Sequence, residues 1–196
     1  MALGGSKINP DGAAARTWGR IWLAAVTRPT VATYQDLARH PQVGSRDAWI
    51  WLLGSGLLSG VFMSLGSVQA RKGAAVDSSL ALAIAVFALM AVLSWASFAA
   101  CIQGFARLMK GGGNYRSLIF VFAAFNAPLM LLTSGLSLVP RGGAILMVLY
   151  LYWLALYSVA VRAAHQVSWL KAAGAVLFSL AVVSGALFGL MVLVFL

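Results

Sequence analysis

Residues 79–105 read SLALAIAVFALMAVLSWASFAACIQGF, and none of them carries a charge. The hydrocarbon core of a bilayer is about 30 Å thick, so a helix needs about 20 apolar residues to cross it. A stretch of this length and composition predicts a transmembrane segment. Because lipid offers no water to satisfy backbone polar groups, the segment should be helical throughout.

Four more apolar runs share this pattern, and short polar breaks separate all five. The predicted spans cover 48–66, 79–105, 118–138, 144–161 and 170–196. The sequence therefore predicts an all-α integral membrane protein, with a five-helix transmembrane bundle forming a domain over 48–196. Ahead of it we expect a flexible tail over 1–15 and an amphipathic juxtamembrane segment over 16–47, where Pro29 ends one short helix and Thr30 caps the next.

The chain is strongly basic for a membrane protein. It has 196 residues, of which 62% are hydrophobic and 9% charged, with 14 Lys and Arg against 4 Asp and Glu. In a soluble protein this balance would suggest a nucleic-acid partner. Here the basic residues lie beside the spans, where they act as topology signals and contact anionic headgroups of membrane lipids at the cytoplasmic face. We expect no nucleic acid as a partner.

The distribution of these basic residues predicts the orientation. With five spans, the N-terminal segment and the second and fourth loops lie on one side, and they hold eleven of the fourteen Lys and Arg. The positive-inside rule assigns that side to the cytoplasm. We therefore predict a multi-pass protein of the cell inner (cytoplasmic) membrane, with a cytoplasmic N-terminus and an external C-terminus.

Two GxxxG pairs are candidates for helix packing. Gly56 and Gly60 form one pair in the first span, and Gly185 and Gly189 form the other in the fifth. Small residues at this spacing let two helices approach closely in lipid. The pattern suits internal packing and dimerisation alike, and we expect internal packing.

The third span contains a large polar residue near a proline. Pro128 should bend the helix near Ala124, and Asn126 should then face the interior of the bundle. Gln103 is the other large amide in a predicted span. Interhelical hydrogen bonding is the expected role of these amides. The alternative is a small oligomeric transporter or channel that uses Gln103, Asn126 and Pro128 as a polar helix break.

The second loop reads KGGGNYR over 110–116, and its three consecutive glycines predict a sharp, flexible turn. Their backbone N–H groups would suit a phosphate cradle, but neither GxxxxGKS/T nor GxGxxG is present and no nucleotide-binding fold surrounds the loop. The candidate residues for a contact at the cytoplasmic face are Gly111, Gly112, Gly113, Tyr115 and Arg116.

We predict no catalytic, cofactor-binding or metal-binding residues. The chain has no glutamate, and its four aspartates are scattered along the sequence outside the predicted spans. Such carboxylates form no general acid/base pair by any sequence argument. Cys101 is the only cysteine and lacks the His or Cys neighbours of a metal site, and neither HExxH nor GxSxG is present. We therefore expect a protein that is not an enzyme and needs no cofactor.

In their order along the chain, several of these features resemble the Yip (Ypt-interacting protein) membrane-domain family, in its short bacterial form. The similarity runs from about Trp18 to the C-terminus. The residues that carry it are Arg28-Pro29, Gly111-Gly112-Gly113, Tyr115, Arg116, Pro128, Tyr152-Trp153, His165, Ser168, Lys171 and Ala172.

The resemblance implies a five-helix domain with a cytoplasmic N-terminus and no known catalytic residues. In eukaryotic relatives it also implies binding of Rab-type GTPases and a role in vesicle membranes. Those relatives have a longer N-terminus with an Asp-Leu-aromatic-Gly-Pro element, which the nearest stretch here, DLARH over 36–40, lacks. The expected function is a non-enzymatic membrane-organising or partner-binding scaffold, with a protein partner or a second copy of the chain bound to it.

Overall fold

The computed structural model describes residues 10–39, 45–70, 79–139 and 143–195. Within these ranges the chain forms α-helices and no strand. The helices are α1 (Pro10–Thr27), α2 (Val31–Arg39), α3 (Ser45–Ala70), α4 (Ser79–Leu108), α5 (Tyr115–Leu136), α6 (Gly143–His165) and α7 (Trp169–Phe195). Each helix from α3 to α7 contains a segment long and apolar enough to cross a membrane, which confirms the predicted fold class. Residues 1–9, His40, Arg71, Lys72, Asp77 and Arg141 lie outside the described ranges.

α1 begins at Pro10, inside the stretch 1–15 for which a flexible tail is predicted, and residues 1–9 of that stretch lie outside the described ranges. Proline is favoured in the first turn of a helix because its missing N–H would have no partner there in any case. The small and polar composition of this stretch therefore indicates low hydrophobicity and not the absence of a helix. α1 ends before Pro29, as the sequence predicts.

α2 is fixed to the bundle by Tyr34. Thr30 caps the helix, its Oγ1 accepting a hydrogen bond from the Thr33 N–H at 3.1 Å. The Tyr34 ring is fully buried and stacks on Phe125 of α5, with ring centroids 5.9 Å apart. Its hydroxyl donates to the carbonyl of Ala25 in α1 at 2.7 Å. Burial raises the pKa of the Tyr34 hydroxyl far above its ordinary value, with Tyr152 adding to the effect, so Tyr34 remains a neutral donor.

α5 is the central helix of the bundle. In its most apolar stretch 78% of the residues are buried, against 17–39% in the corresponding stretches of the other four candidate spans. α1, α2, α3, α4 and α6 all contact it. The outer helices expose large apolar side chains such as Leu82, Val148 and Phe188, which are 66–69% exposed. Such a surface is unfavourable in water and suits contact with lipid.

Four helices extend three or four residues past a predicted limit. α3 begins at Ser45 and ends at Ala70, against a predicted span of 48–66. α4 continues to Leu108, α5 begins at Tyr115 and α6 continues to His165, each three or four residues past the predicted limit. The predicted limits are set where charged residues begin, but each helix continues past that point. Arg107 and Arg162 lie in the last turns of α4 and α6, where a cation interacts favourably with the negative end of the helix dipole.

One end of the bundle gathers α2, the α4–α5 turn and the α6–α7 turn, and we call it the basic end. The Ser117 hydroxyl, in the first turn of α5, donates to the Ala38 carbonyl of α2 at 3.5 Å. A Cβ on Gly111, in the α4–α5 turn, would lie 3.4 Å from Val167 in the α6–α7 turn. These contacts bring α2 and the two turns together, and the basic residues in or beside these segments are Arg39, Arg107, Lys110, Arg116, Arg162 and Lys171.

Candidate functional site

Asn126 is fully buried in α5 and hydrogen-bonds to two side chains of α6. Its Oδ1 accepts hydrogen bonds from Trp153 Nε1 and from the Tyr157 hydroxyl, the latter at 2.6 Å. Because an indole nitrogen can only donate, the amide presents its oxygen to α6. Trp153 and Tyr157 lie four residues apart and so share one helix face. We call these three residues the Asn126 cluster.

Aromatic rings close around the Asn126 cluster. The Tyr157 ring makes edge-to-face contacts with Phe98, Phe122 and Phe125, with centroids 4.8–5.0 Å apart. The Asn126 Oδ1 therefore has both lone pairs engaged in an apolar environment, where hydrogen bonds are strengthened. Its Nδ2 has no hydrogen-bond partner within the described chain. The cluster joins α5 to α6.

Gln103 does not join this cluster. It is 6% exposed near the end of α4, and its Nε2 donates to the Gly113 carbonyl at 3.0 Å. Pro128 lies inside α5, which is one uninterrupted helix from Tyr115 to Leu136, so the bend predicted near Ala124 does not break it. The two amides thus serve separate contacts in the described chain, which does not favour a shared polar path.

The hollow beside the Asn126 cluster is apolar. It measures about 360 Å³ and lies between α4, α6 and α7, with Trp95, Trp153, Tyr157 and Leu180 in its lining. The Trp153 and Tyr157 polar atoms are already bonded to Asn126. A hollow of this kind suits hydrocarbon better than an ion or a polar solute.

The two GxxxG pairs differ in what they contact. A Cβ on Gly60 would lie 3.2 Å from the Ile84 carbonyl of α4, and one on Gly56 would lie 3.4 Å from the Ala88 Cα. This is the close approach that the spacing predicts. Gly185 and Gly189 have no described atom within 4 Å of such a Cβ, so their packing role stays a prediction.

We call residues 110–114 the glycine turn. In this turn Lys110 has a left-handed backbone conformation (φ 62°), and none of the three glycines has one. The Lys110 N–H donates to the Arg107 carbonyl at 2.9 Å, and the Gly111 N–H donates to the Ala106 carbonyl at 2.8 Å. This pair of bonds is the Schellman arrangement that ends many helices. The glycines are therefore not needed for left-handed backbone, contrary to the reasoning behind the predicted turn.

Two of the three glycines lie so close to neighbouring atoms that a side chain would not fit. A Cβ on Gly113 would lie 2.3 Å from His165 Nδ1 and 2.5 Å from the Ala164 carbonyl, and a Cβ on Gly111 would lie 2.9 Å from the Ala106 carbonyl. Gly112 has no described atom within 4 Å. The turn therefore lies directly on the end of α6 and covers His165, which is 1% exposed.

Tyr115 and Arg116 begin α5. Asn114 caps the helix, its Oδ1 accepting from the Arg116 N–H at 2.9 Å. The Tyr115 hydroxyl donates to the Ala96 carbonyl of α4 at 3.4 Å, so this side chain joins two helices. The Arg116 side chain is exposed. Of the five predicted contact residues, Gly111, Gly113 and Tyr115 thus have structural roles in the described chain.

A polar groove lies between α2, the glycine turn and the α6–α7 turn. It consists of two adjoining hollows of about 420 and 160 Å³, and both are lined by Gln35 and Gln166. Arg162 lines the first and Arg39 the second. We call it the basic groove. No motif indicates it, because its residues come from three segments that lie 45 or more positions apart in the sequence.

The chemical groups in the basic groove are cations, amides and backbone polar groups. Its described lining contains no Asp, Glu, His or Cys. Among the residues that the structure describes, no three His, Cys, Asp or Glu side chains come together as metal ligands would. Such a lining is suited to hydrogen bonding and charge attraction.

The comparison with family models agrees with this architecture. The model of the Yip1 domain matches residues 23–193, from the second half of α1 into the last turn of α7. The match includes the Asn126 cluster, the glycine turn and the basic groove. Comparisons with curated proteins and with solved structures gave no match. The chain therefore belongs to the Yip1 domain family and is a multi-pass membrane protein.

Proposed function

We propose that this protein is a non-enzymatic scaffold of the Yip type that organises the membrane or binds a partner in it. The Asn126 cluster carries the proposal. An amide in the central span is costly unless it is hydrogen-bonded, and Asn126 uses its oxygen entirely to hold α6. Polar chemistry inside the bundle is thus used for assembly.

We further propose that the protein lies in the cell inner (cytoplasmic) membrane, with the basic end and the N-terminus in the cytoplasm and the C-terminus outside. Support comes from the eleven Lys and Arg that the five-span arrangement places on one side. On that side the basic residues would contact anionic lipid headgroups. A protein partner or a second copy of the chain would dock on the lipid-exposed faces of the outer helices.

A flux assay tests the scaffold proposal. Purified protein in proteoliposomes should pass ions and small fluorescent solutes no faster than protein-free liposomes do. The Asn126→Leu protein should behave identically, because the amide lines no path in this account. A flux that requires the wild-type protein and disappears in Asn126→Leu, while the variant remains folded, would contradict the proposal.

A further inference from the structure

The basic groove has the shape of a site for a small polar group. Its two hollows meet at Gln35 on α2 and at Gln166 after the end of α6. The glycine turn forms one wall of the smaller hollow through Gly112 and Gly113. The Gly112 N–H makes no hydrogen bond within the described chain. The groove therefore presents hydrogen-bond donors from three separate elements.

The charge of the groove is positive. Arg39 and Arg162 line it, and its described lining contains no acidic residue. Neither arginine forms an ion pair within the described chain. The Arg162 guanidinium lies 4.5 Å from the centre of the Trp169 ring, so a cation–π contact holds it in place. Two arginines with no acidic partner favour an anion in the groove.

Gln166 provides an independent observation. Its φ of 55° places it in the left-handed region, which is unfavourable for a residue with a Cβ and is where glycine usually ends a helix. Its N–H donates to the Arg162 carbonyl at 2.9 Å and closes α6. A glycine would close the helix with less strain, yet it would remove the amide that lines both hollows. Strain of this kind is typical of functional positions.

We propose that the basic groove binds a phosphate group, carried either by an anionic lipid headgroup or by a soluble phosphate compound. Arginine guanidinium groups pair with phosphate oxygens through two parallel hydrogen bonds, and amide and backbone N–H groups complete the set of donors. The inference rests on the proposed function only in placing the groove at the cytoplasmic headgroup level, because the binding chemistry itself does not depend on the side of the membrane.

The test is a titration of the full chain in uncharged detergent micelles, followed by native mass spectrometry. Three probes separate the sources of phosphate: phosphatidic acid, diacylglycerol, which lacks only the phosphate, and glycerol 3-phosphate, which lacks the acyl chains. We expect phosphatidic acid to bind and diacylglycerol not to bind. Equal affinity for glycerol 3-phosphate would identify a soluble phosphate compound as the ligand, and weaker affinity would identify a lipid.

Variants then locate the site. Arg39→Gln should weaken phosphatidic acid binding about tenfold, as expected for loss of a charge-assisted hydrogen bond. Arg20→Gln is the matched control, because Arg20 lies in α1, is exposed and does not line the hollows, and the affinity of this variant should stay within about twofold of wild type. Gln166→Gly should weaken binding without lowering the melting temperature, since it removes left-handed strain.

Three results would overturn the proposal: no binding of either phosphate probe, equal binding of diacylglycerol, or equal weakening in Arg39→Gln and Arg20→Gln. The last would show diffuse attraction to a basic surface. Because binding is measured in micelles, its failure is distinct from the failure of the scaffold function or of the orientation, which flux and reporter assays test separately.

Discussion

Asn126 lies where the central helix meets α6, and its oxygen satisfies two donors of that helix at once. Leucine has a similar volume but cannot accept a hydrogen bond. Replacing Asn126 by leucine would therefore leave the Trp153 Nε1 and the Tyr157 hydroxyl without their acceptor in an apolar environment. An interhelical hydrogen bond in a membrane nevertheless contributes little net stability, because the polar groups of the unfolded chain also find hydrogen-bond partners there.

We predict that Asn126→Leu lowers the free energy of unfolding in detergent by about 0.5–2 kcal/mol. Tyr157→Phe removes one of the two donors and should have a smaller effect. The double variant should be less destabilised than the sum of the two, because both changes remove the same hydrogen bond. Strict additivity in this double-mutant cycle, or wild-type stability of Asn126→Leu, would contradict the assigned role.

The burial of Asn126 follows from the sequence, because an amide within a predicted span is unfavourable in contact with lipid. Its partners do not follow. Trp153 and Tyr157 lie 27 and 31 positions away, and periodicity does not tell which helices are neighbours. The same limit applies to the basic groove, which depends on how α2 folds back against α5 and α6.

Among the helices, α3 lies close to the backbone of α4 at Gly56 and Gly60, where no side chain intervenes. The Ser59 hydroxyl of α3, next to Gly60, also donates to the Met130 carbonyl of α5 at 3.2 Å. α3 is therefore held on two sides. A bulky residue at Gly60 would have to displace α3 from α4, or Ile84 from its position.

We predict that Gly60→Leu destabilises the protein by about 1–3 kcal/mol, the usual range for overpacking. Gly54→Leu in the same helix is the matched control, since Gly54 is exposed and has no described atom within 4 Å of an added Cβ. Thermal unfolding in detergent compares the two variants. Equal melting temperatures for Gly60→Leu and the wild type would show that the α3–α4 contact is looser than described.

The GxxxG spacing predicts that a helix can approach a neighbour closely, but it does not predict which atoms the glycines contact. Gly56 and Gly60 lie close to α4, whereas Gly185 and Gly189, with the same spacing, have no described atom within 4 Å of an added Cβ. Composition likewise gives the spans to within a few residues but misses the helical turns at the basic end, because charge does not end a helix. The three glycines predict a turn correctly, yet it is contact with His165 and the end of α4 that accounts for Gly111 and Gly113.

For the whole molecule, the number of spans and the distribution of charge determine the orientation together. The structure brings α2, the glycine turn and the α6–α7 turn to one end, as expected when each successive span crosses the membrane and the N-terminal segment shares a side with the second and fourth loops. The basic groove forms only because these segments meet. If one span failed to cross, the C-terminus would return to the basic side.

A reporter fused after Leu196 therefore tests the central claim most directly. We predict that alkaline phosphatase fused there is active and that green fluorescent protein fused there is dark, because the proposed orientation puts the C-terminus outside the cytoplasm. The same reporters at the N-terminus serve as the control and should give the opposite result for fluorescence. A fluorescent, phosphatase-inactive fusion at Leu196 would contradict the five-span arrangement and the placement of the basic end in the cytoplasm.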